Sequence, residues 1–237
     1  MSSGAEDTPT RQLMRMDAQP AFVPNRFREA LIHQTDEALT DDDSAALGQW
    51  LFDHRDRLQR GGDEHGEGRF NYEILSIEKH APDLLRPLRR RLLELVADGD
   101  VLDQVCVPAF DVRFLEMHAT LYHHGSHFGW HDDAPGPDGH TPVLTRRISF
   151  CYYMHSTPKM FSGGELEFMD GTSTKPENNR LVMFHPLQQH RVLPVECWSA
   201  HVLHGRWAIT GWLHGDPPEG YAERLPQMRG QPGREPS

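Results

Sequence analysis

Residues 122–133 read Y-H-H-G-S-H-F-G-W-H-D-D and gather four histidines and two aspartates, a set of side chains able to ligate a metal. Along an extended chain, side chains two apart project to one face. His131 and Asp133 can therefore close on one ion from the same side while Asp132 points away. A third neutral imidazole would complete a 2-His-1-carboxylate facial triad, which leaves up to three positions of an octahedral Fe(II) open for O2 and other ligands. His190, in Q-Q-H-R-V, is the third ligand of choice; His185, five residues earlier and followed by Pro186, is its rival. His123, His124 and His127 crowd the pair, but their turn-like surroundings fit a solvated loop better than ligation.

The elements that must position these groups belong to a chain of 237 residues with 37% hydrophobic content, enough for one substantial core and one catalytic domain. A formal charge of −11 argues against general affinity for nucleic acid or an anionic membrane, so neither is expected as a partner. Cys106, Cys151 and Cys197 are odd in number and lack C-x-x-C spacing, which favours neither a disulfide framework nor a zinc ribbon. The sequence contains no run of about 18 apolar residues for a membrane span and no apolar signal core at its start. A cytoplasmic location is expected.

Residues 1–24 show no apolar period and are read as a mobile arm, and the Pro- and Gly-rich tail 215–237 is read likewise. A short strand is expected over 30–34. Thr40 with Asp43 then resembles a helix N-cap, and Leu47, Trp50, Leu51, His54 and Leu58 share one face of a helix running to about residue 59. His54 on that stripe is expected to bond to backbone rather than to a metal. An acidic loop over 61–68 and an extended segment over 72–77 separate it from a second helix, which opens near Pro82 and Asp83, ends before Gly99 and turns Arg89, Arg90 and Arg91 mostly to solvent.

From Val112 the hydrophobic period changes to two, with short strands over 112–122, 147–154, 165–169, 181–184, 191–195 and 206–213. That pattern is an antiparallel barrel or jelly roll, a double-stranded β-helix, with the helices of about 25–110 packed on one sheet of a single domain over 25–214. The long loop 134–145 directly follows the metal pair and is placed to cover a site. Parity sorts each strand into two faces. Glu116, His118, Thr120 and Tyr122 share one; Arg147, Ser149, Cys151 and Tyr153 share another; Arg206, Ala208, Thr210 and Trp212 a third. The opposite faces are apolar and suit packing against a second layer. The polar faces either meet water or line a cavity, where buried Arg and Tyr need an anionic ligand. Trp130 lies opposite His131 by the same parity and is read as a plug on the outside of the barrel.

The ordered motifs Y-H-H-G (122–125), His131-x-Asp133, R-R-I-S-F-C-Y-Y-M (146–154), F-S-G-G-E-L (161–166), His190-Arg191-Val192 and G-R-W-A-I-T-G-W (205–212) resemble the Fe(II)- and 2-oxoglutarate-dependent oxygenases, within them the prolyl 4-hydroxylase-like group. The resemblance covers roughly residues 112–214. It implies that His131, Asp133 and His190 hold Fe(II), that Arg206 pairs with the distal carboxylate of 2-oxoglutarate, and that Tyr153 donates to that carboxylate. Tyr122 would reach the cosubstrate end nearer the metal. The gap of 16 residues from His190 to Arg206 is longer than the family's usual one, which leaves Arg191 as a competitor for the anion role. An inserted hairpin or loop carrying His201 and His204 would fill that gap.

The resemblance further implies hydroxylation of an unactivated C–H bond, with O2 consumed, 2-oxoglutarate decarboxylated to succinate and ascorbate as a supporting reductant. The carboxylate of Asp133 favours hydroxylation over halogenation, because related halogenases lack it. A prolyl residue in a protein or peptide is the leading substrate, followed by a free amino acid or peptide-like metabolite. A non-catalytic barrel that binds metal or 2-oxoglutarate is the rival of another class. A zinc hydrolase also has a suitable triad, but gives no reason for Arg206 and Tyr153 to share a cavity.

Overall fold

The computed structural model describes residues 31–62, 68–134 and 145–216. The readings for the N-terminal arm, for most of the acidic loop and of the loop after Asp133, and for the tail beyond residue 216 fall outside these residues. The chain opens on β1 (Ile32–Thr35) and α1 (Asp41–Asp53), followed by β2 (Gln59–Gly62) and β3 (Arg69–Ile74). Two helices come next, α2 (Arg86–Ala97) and α3 (Gly99–Gln104). The β-rich half contains β4 (Phe114–Tyr122), β5 (His127–His131), β6 (Arg146–Met154), β7 (Phe161–Gly163), β8 (Leu166–Phe168) and β9 (Ser173–Thr174). It closes with β10 (Arg180–Phe184), β11 (His190–Val192), β12 (Val195–Cys197) and β13 (Arg206–His214).

Thr40 caps α1 as its spacing predicts: its hydroxyl accepts from Asp43 N at 3.1 Å, and Asp41, Asp42 and Asp43 meet the positive end of the helix dipole. The helix stops at Asp53, not near residue 59. His54 turns out of helical geometry (φ −108°, ψ 20°), its Nδ1 lies 2.8 Å from Trp50 O, and its ring stacks on Trp50. Beyond it Leu58 is extended and leads into β2, whose pairing with β3 replaces further helix. Pro87 sits in the first turn of α2, where its missing N–H is harmless. The short α3, capped by Asp98, was not expected.

The main sheet runs β1-β10-β6-β13-β4-β3-β5-β11-β8-β9 with antiparallel pairings throughout, and β12 pairs with β7 apart from it. β3 makes the sheet curl. Its C-terminal part pairs with β4 and its first two residues pair with β5, so it passes the sheet from one layer to the facing one. The stretch expected as helical support thus also supplies three strands, and one of them closes the barrel.

The parity of the sequence becomes two cores. Met117, Ala119 and Leu121 of β4, Ile148 and Tyr152 of β6 and Ile209 of β13 pack against Leu47 and Leu51 of α1 and Leu88 and Leu92 of α2. Each fully buried leucine there contributes about 1.5–3 kcal/mol relative to exposure. On the other face Tyr122, Cys151, Tyr153 and Ala208 meet Leu166, Phe168 and Val192 of the facing layer, inside the barrel. The fold is a mainly β jelly roll with helices packed on one sheet. Among the described residues, no helix is long and apolar enough to cross a membrane.

Candidate active site

β5 and β11 pair so that His131 and His190 are direct partners. The Nδ1 of each ring lies 2.8 Å from a backbone carbonyl two residues earlier, Gly129 O for His131 and Gln188 O for His190. A carbonyl can only accept, so Nδ1 donates in both rings, an arrangement that in a neutral imidazole leaves the Nε2 lone pair for a ligand. Both lone pairs face Asp133, whose Oδ1 lies 3.8 Å from His131 Nε2 and Oδ2 3.8 Å from His190 Nε2. The three ligand atoms lie within 4.8 Å of one another. Asp133 follows the end of β5 and is held by its N–H on Pro186 O at 2.9 Å. Asp132 turns away, and its Oδ1 accepts from Ala134 N. Phe128 stacks on the His131 ring with centroids 3.6 Å apart, and Phe184 sets its edge to His190 at 4.7 Å.

Burial, together with the neighbouring His190, lowers the His131 pKa to about 4. Burial alone would raise the Asp133 carboxyl, but His190 and His131, with Ser149 and Trp212 beside it, hold it below its ordinary value. Neutral imidazole beside carboxylate is the protonation state that a divalent cation requires.

Arg206 opens β13 directly across from Tyr122 and is 1% exposed. Its Nε, Nη1 and Nη2 are buried without a hydrogen-bond partner among the described residues, and so is the Tyr153 hydroxyl. The guanidinium carbon lies 4.8 Å from the ring centroids of both Tyr122 and Tyr153. Cation–π contact of this kind is worth about 2 kcal/mol when desolvated, while burying an unpaired ion costs several. The balance calls for an anion. Burial drives the Tyr153 phenol well above its usual pKa and Tyr122 up to about 12, so both keep the proton that a hydrogen-bond donor needs. Gly164, at φ +75°, makes room for the arginine: a Cβ there would stand 2.7 Å from Arg206 Cδ and 2.9 Å from Val195 Cγ2. A cavity of about 110 Å³ connects Arg206 and Tyr122 with His131, Asp133 and His190, and Trp212 and Arg69 also line it. Two imidazoles and a carboxylate suit Fe(II), and an orphaned guanidinium suits a carboxylate at the far end of a chelating cosubstrate.

The rival residues lie elsewhere. Arg191 pairs with Glu167 and lies over the Trp130 ring at 4.6 Å. Trp130 is 42% exposed on the outer side, as parity placed it. The Nδ1 of His185 accepts from Leu187 N, and His185 is not among the clustered ligands. His123 approaches His201 O; His127, expected in a turn, opens β5 with Nδ1 near Gly125 O. The long gap before Arg206 holds β12 and a short 3-10 turn over Val202–His204. Arg69 and Glu73, both at the cavity, were not anticipated. The alternation Arg-Phe-Asn-Tyr-Glu-Ile over 69–74 is the signal that marks them, polar at one parity and apolar at the other.

Residues 117–214 match the family model of the 2OG-Fe(II) oxygenase superfamily. An uncharacterized PKHD-type hydroxylase of Synechocystis sp. is 22% identical over 228 residues, which cover 85% of this chain and 73% of that protein. A prolyl-4-hydroxylase of Pseudomonas putida has the same fold, with a TM-score of 0.55 at 20% identity over 79% of this chain and 94% of its own. A prolyl hydroxylase of Trichoplax adhaerens, in complex with a hypoxia inducible factor oxygen degradation domain peptide fragment, gives 0.57 at 15% identity over 81% and 86%.

Proposed function

We propose that the chain is an Fe(II)- and 2-oxoglutarate-dependent oxygenase, prolyl 4-hydroxylase-like in its barrel, and that it hydroxylates an unactivated C–H bond of a prolyl residue in a protein or peptide. In this reading His131, Asp133 and His190 hold Fe(II). Arg206 and Tyr153 receive the distal carboxylate of 2-oxoglutarate, with Tyr122 as the aromatic wall beside them. The observation that carries it is the unpaired, buried Arg206 at the closed end of the same cavity that holds the His-Asp-His cluster.

Iron with 2-oxoglutarate and O2 supplies the oxidising power, releasing succinate and CO2 as the substrate gains a hydroxyl group. The chain's own residues do the positioning. The two Nδ1–carbonyl bonds orient the imidazoles, Asp133 would complete the ligand set for the metal, and the Arg206 guanidinium would hold the cosubstrate's distal carboxylate by charge-assisted bonds. Phe128, Phe184, Leu166 and Val192 line the cavity with apolar surface and exclude water. The peptide fragment in complex with the Trichoplax neighbour, and the prolyl hydroxylases among the structural neighbours, support a prolyl peptide. A mass-spectrometric screen with Fe(II), 2-oxoglutarate and ascorbate tests this: a +16 shift on proline-containing peptides is expected, and a shift confined to free amino acids contradicts it.

A further inference from the structure

Burial orders the cavity from end to end. Arg206 forms the closed end at 1% exposure, whereas at the mouth the Arg69 side chain keeps 31% and that of Glu73 15%. Arg69, Asn71 and Glu73 alternate along β3 and so share one face, opposite Phe70, Tyr72 and Ile74. Arg69 Nε donates to Asn71 Oδ1 at 3.1 Å, and Nη2 pairs with the Glu73 carboxylate. Its remaining nitrogen, Nη1, makes no hydrogen bond among the described residues. The Arg69 guanidinium carbon lies 5.0 Å from the centroid of Phe128, the ring that stacks on His131. Gly61 of β2 keeps this arrangement open, since a Cβ there would come within 2.5 Å of Asn71 Oδ1 and 3.1 Å of the Glu73 carboxylate.

Two nitrogens held by a strand neighbour and an ion pair leave the third as the free donor of a guanidinium that lines the cavity with His131, Asp133 and His190 and is more exposed than they are, its side chain at 31% against 20%, 13% and 5%. A cosubstrate anchored at Arg206 occupies the deep side, so what meets Arg69 is the substrate. We propose that Arg69 is a specificity-determining residue whose Nη1 donates to the carbonyl oxygen of a peptide unit next to the oxidised C–H bond; this rests on the prolyl-peptide reading above. The carboxylate of a free amino acid offers a similar oxygen. Glu73 weighs against it, because its charge cancels that of Arg69 and repels a second anion, while a neutral carbonyl loses nothing. Arg69 and Glu73 together therefore select a blocked peptide over the free amino acid.

The test uses Mn(II) and 2-oxoglutarate-loaded full chain, with a set of blocked tripeptides, acetyl-Xaa-Pro-Yaa-amide, and free L-proline as probes, and affinities measured by calorimetry. Wild type is expected to bind at least one blocked peptide more tightly than L-proline. Arg69→Met is expected to weaken that peptide at least about tenfold, as for loss of a hydrogen bond to a charged donor, with Mn(II) and 2-oxoglutarate affinities within about twofold of wild type. Arg69→Lys should recover part of the loss, and Glu73→Gln should narrow the preference over L-proline. Unchanged peptide affinity in Arg69→Met overturns the assignment, and so does an equal loss of 2-oxoglutarate affinity, which would make Arg69 a cosubstrate residue. If wild type binds only L-proline, the peptide reading falls and takes this inference with it.

Discussion

His131 and His190 are partners across β5 and β11, and both turn an Nε2 lone pair toward one carboxylate, that of Asp133. Strand pairing fixes the spacing of the two imidazoles, so that part of the cluster is set by the sheet.

Removing a member of the cluster should therefore remove metal without removing the fold. His131→Ala, His190→Ala and Asp133→Gly are each expected to lower Mn(II) affinity by more than about 100-fold, beyond what loss of an outer-shell partner does, and to abolish succinate formation. Asp132→Ala should stay within a few-fold of wild type, because its carboxylate accepts from Ala134 N and is not a member of the ligand cluster. Calorimetry with Mn(II) and far-UV circular dichroism check both halves; equal damage from Asp132→Ala and Asp133→Gly would contradict the geometry.

Gly164 tests how tightly Arg206 is seated. Gly164→Ala places a side chain at φ +75° and drives it onto Arg206 Cδ. The backbone strain costs about 1–2 kcal/mol, a fall of about 2–8 °C in Tm for a chain of this size. Displacement of the guanidinium should weaken 2-oxoglutarate about 10- to 100-fold. A thermal melt and a cosubstrate titration separate the two effects, and a variant that loses stability with unaltered 2-oxoglutarate affinity would show that the glycine does not seat the arginine.

Glu116 predicts an acid limb to stability. Hydrogen bonds from His118 and His214, with Arg146 nearby, hold its carboxyl below the ordinary range against the opposing effect of burial. A carboxyl whose folded pKa is lowered contributes stability that is fully present above its unfolded pKa and is lost as pH falls toward the folded value. Wild type should thus lose more stability than Glu116→Gln between about pH 5 and pH 2. Urea midpoints at several pH values measure it; parallel curves would show that Glu116 is not held in this way.

The parity of β4, β6 and β13 was legible because one face of each meets the helices and the other the barrel interior, so period two survives in Leu115-Met117-Ala119-Leu121 and in Tyr122, Cys151 and Arg206. The cap at Thr40 was legible because it is local. What escaped depends on distant partners. β2 is Gln-Arg-Gly-Gly, a sequence without strand propensity, and it is extended only because β3 lies beside it. The end of α1 at Asp53 follows from the same pairing, since apolar spacing continued to Leu58. Arg69 escapes because the expected segment over 72–77 starts three residues after β3, which spans Arg69–Ile74; Glu73 falls inside that segment, but its place at the cavity depends on the pairing of β3 with β4 and β5.

Cosubstrate affinity in arginine variants decides whether the cavity that gathers His131, Asp133 and His190 takes 2-oxoglutarate at Arg206. Breaking a buried charge-assisted pair from one side costs about 3–5 kcal/mol, a factor of about 100 to 1000 or more in affinity. In Mn(II)-loaded protein, Arg206→Ala should weaken 2-oxoglutarate by at least about 100-fold with metal still bound, and Arg206→Lys should recover part of it by restoring charge without the fork. Arg191→Ala, which removes the half-buried pair with Glu167 and the contact with Trp130, both outside the cavity lining, should change it by less than about fivefold. A large loss in Arg191→Ala with Arg206→Ala near wild type would contradict the account.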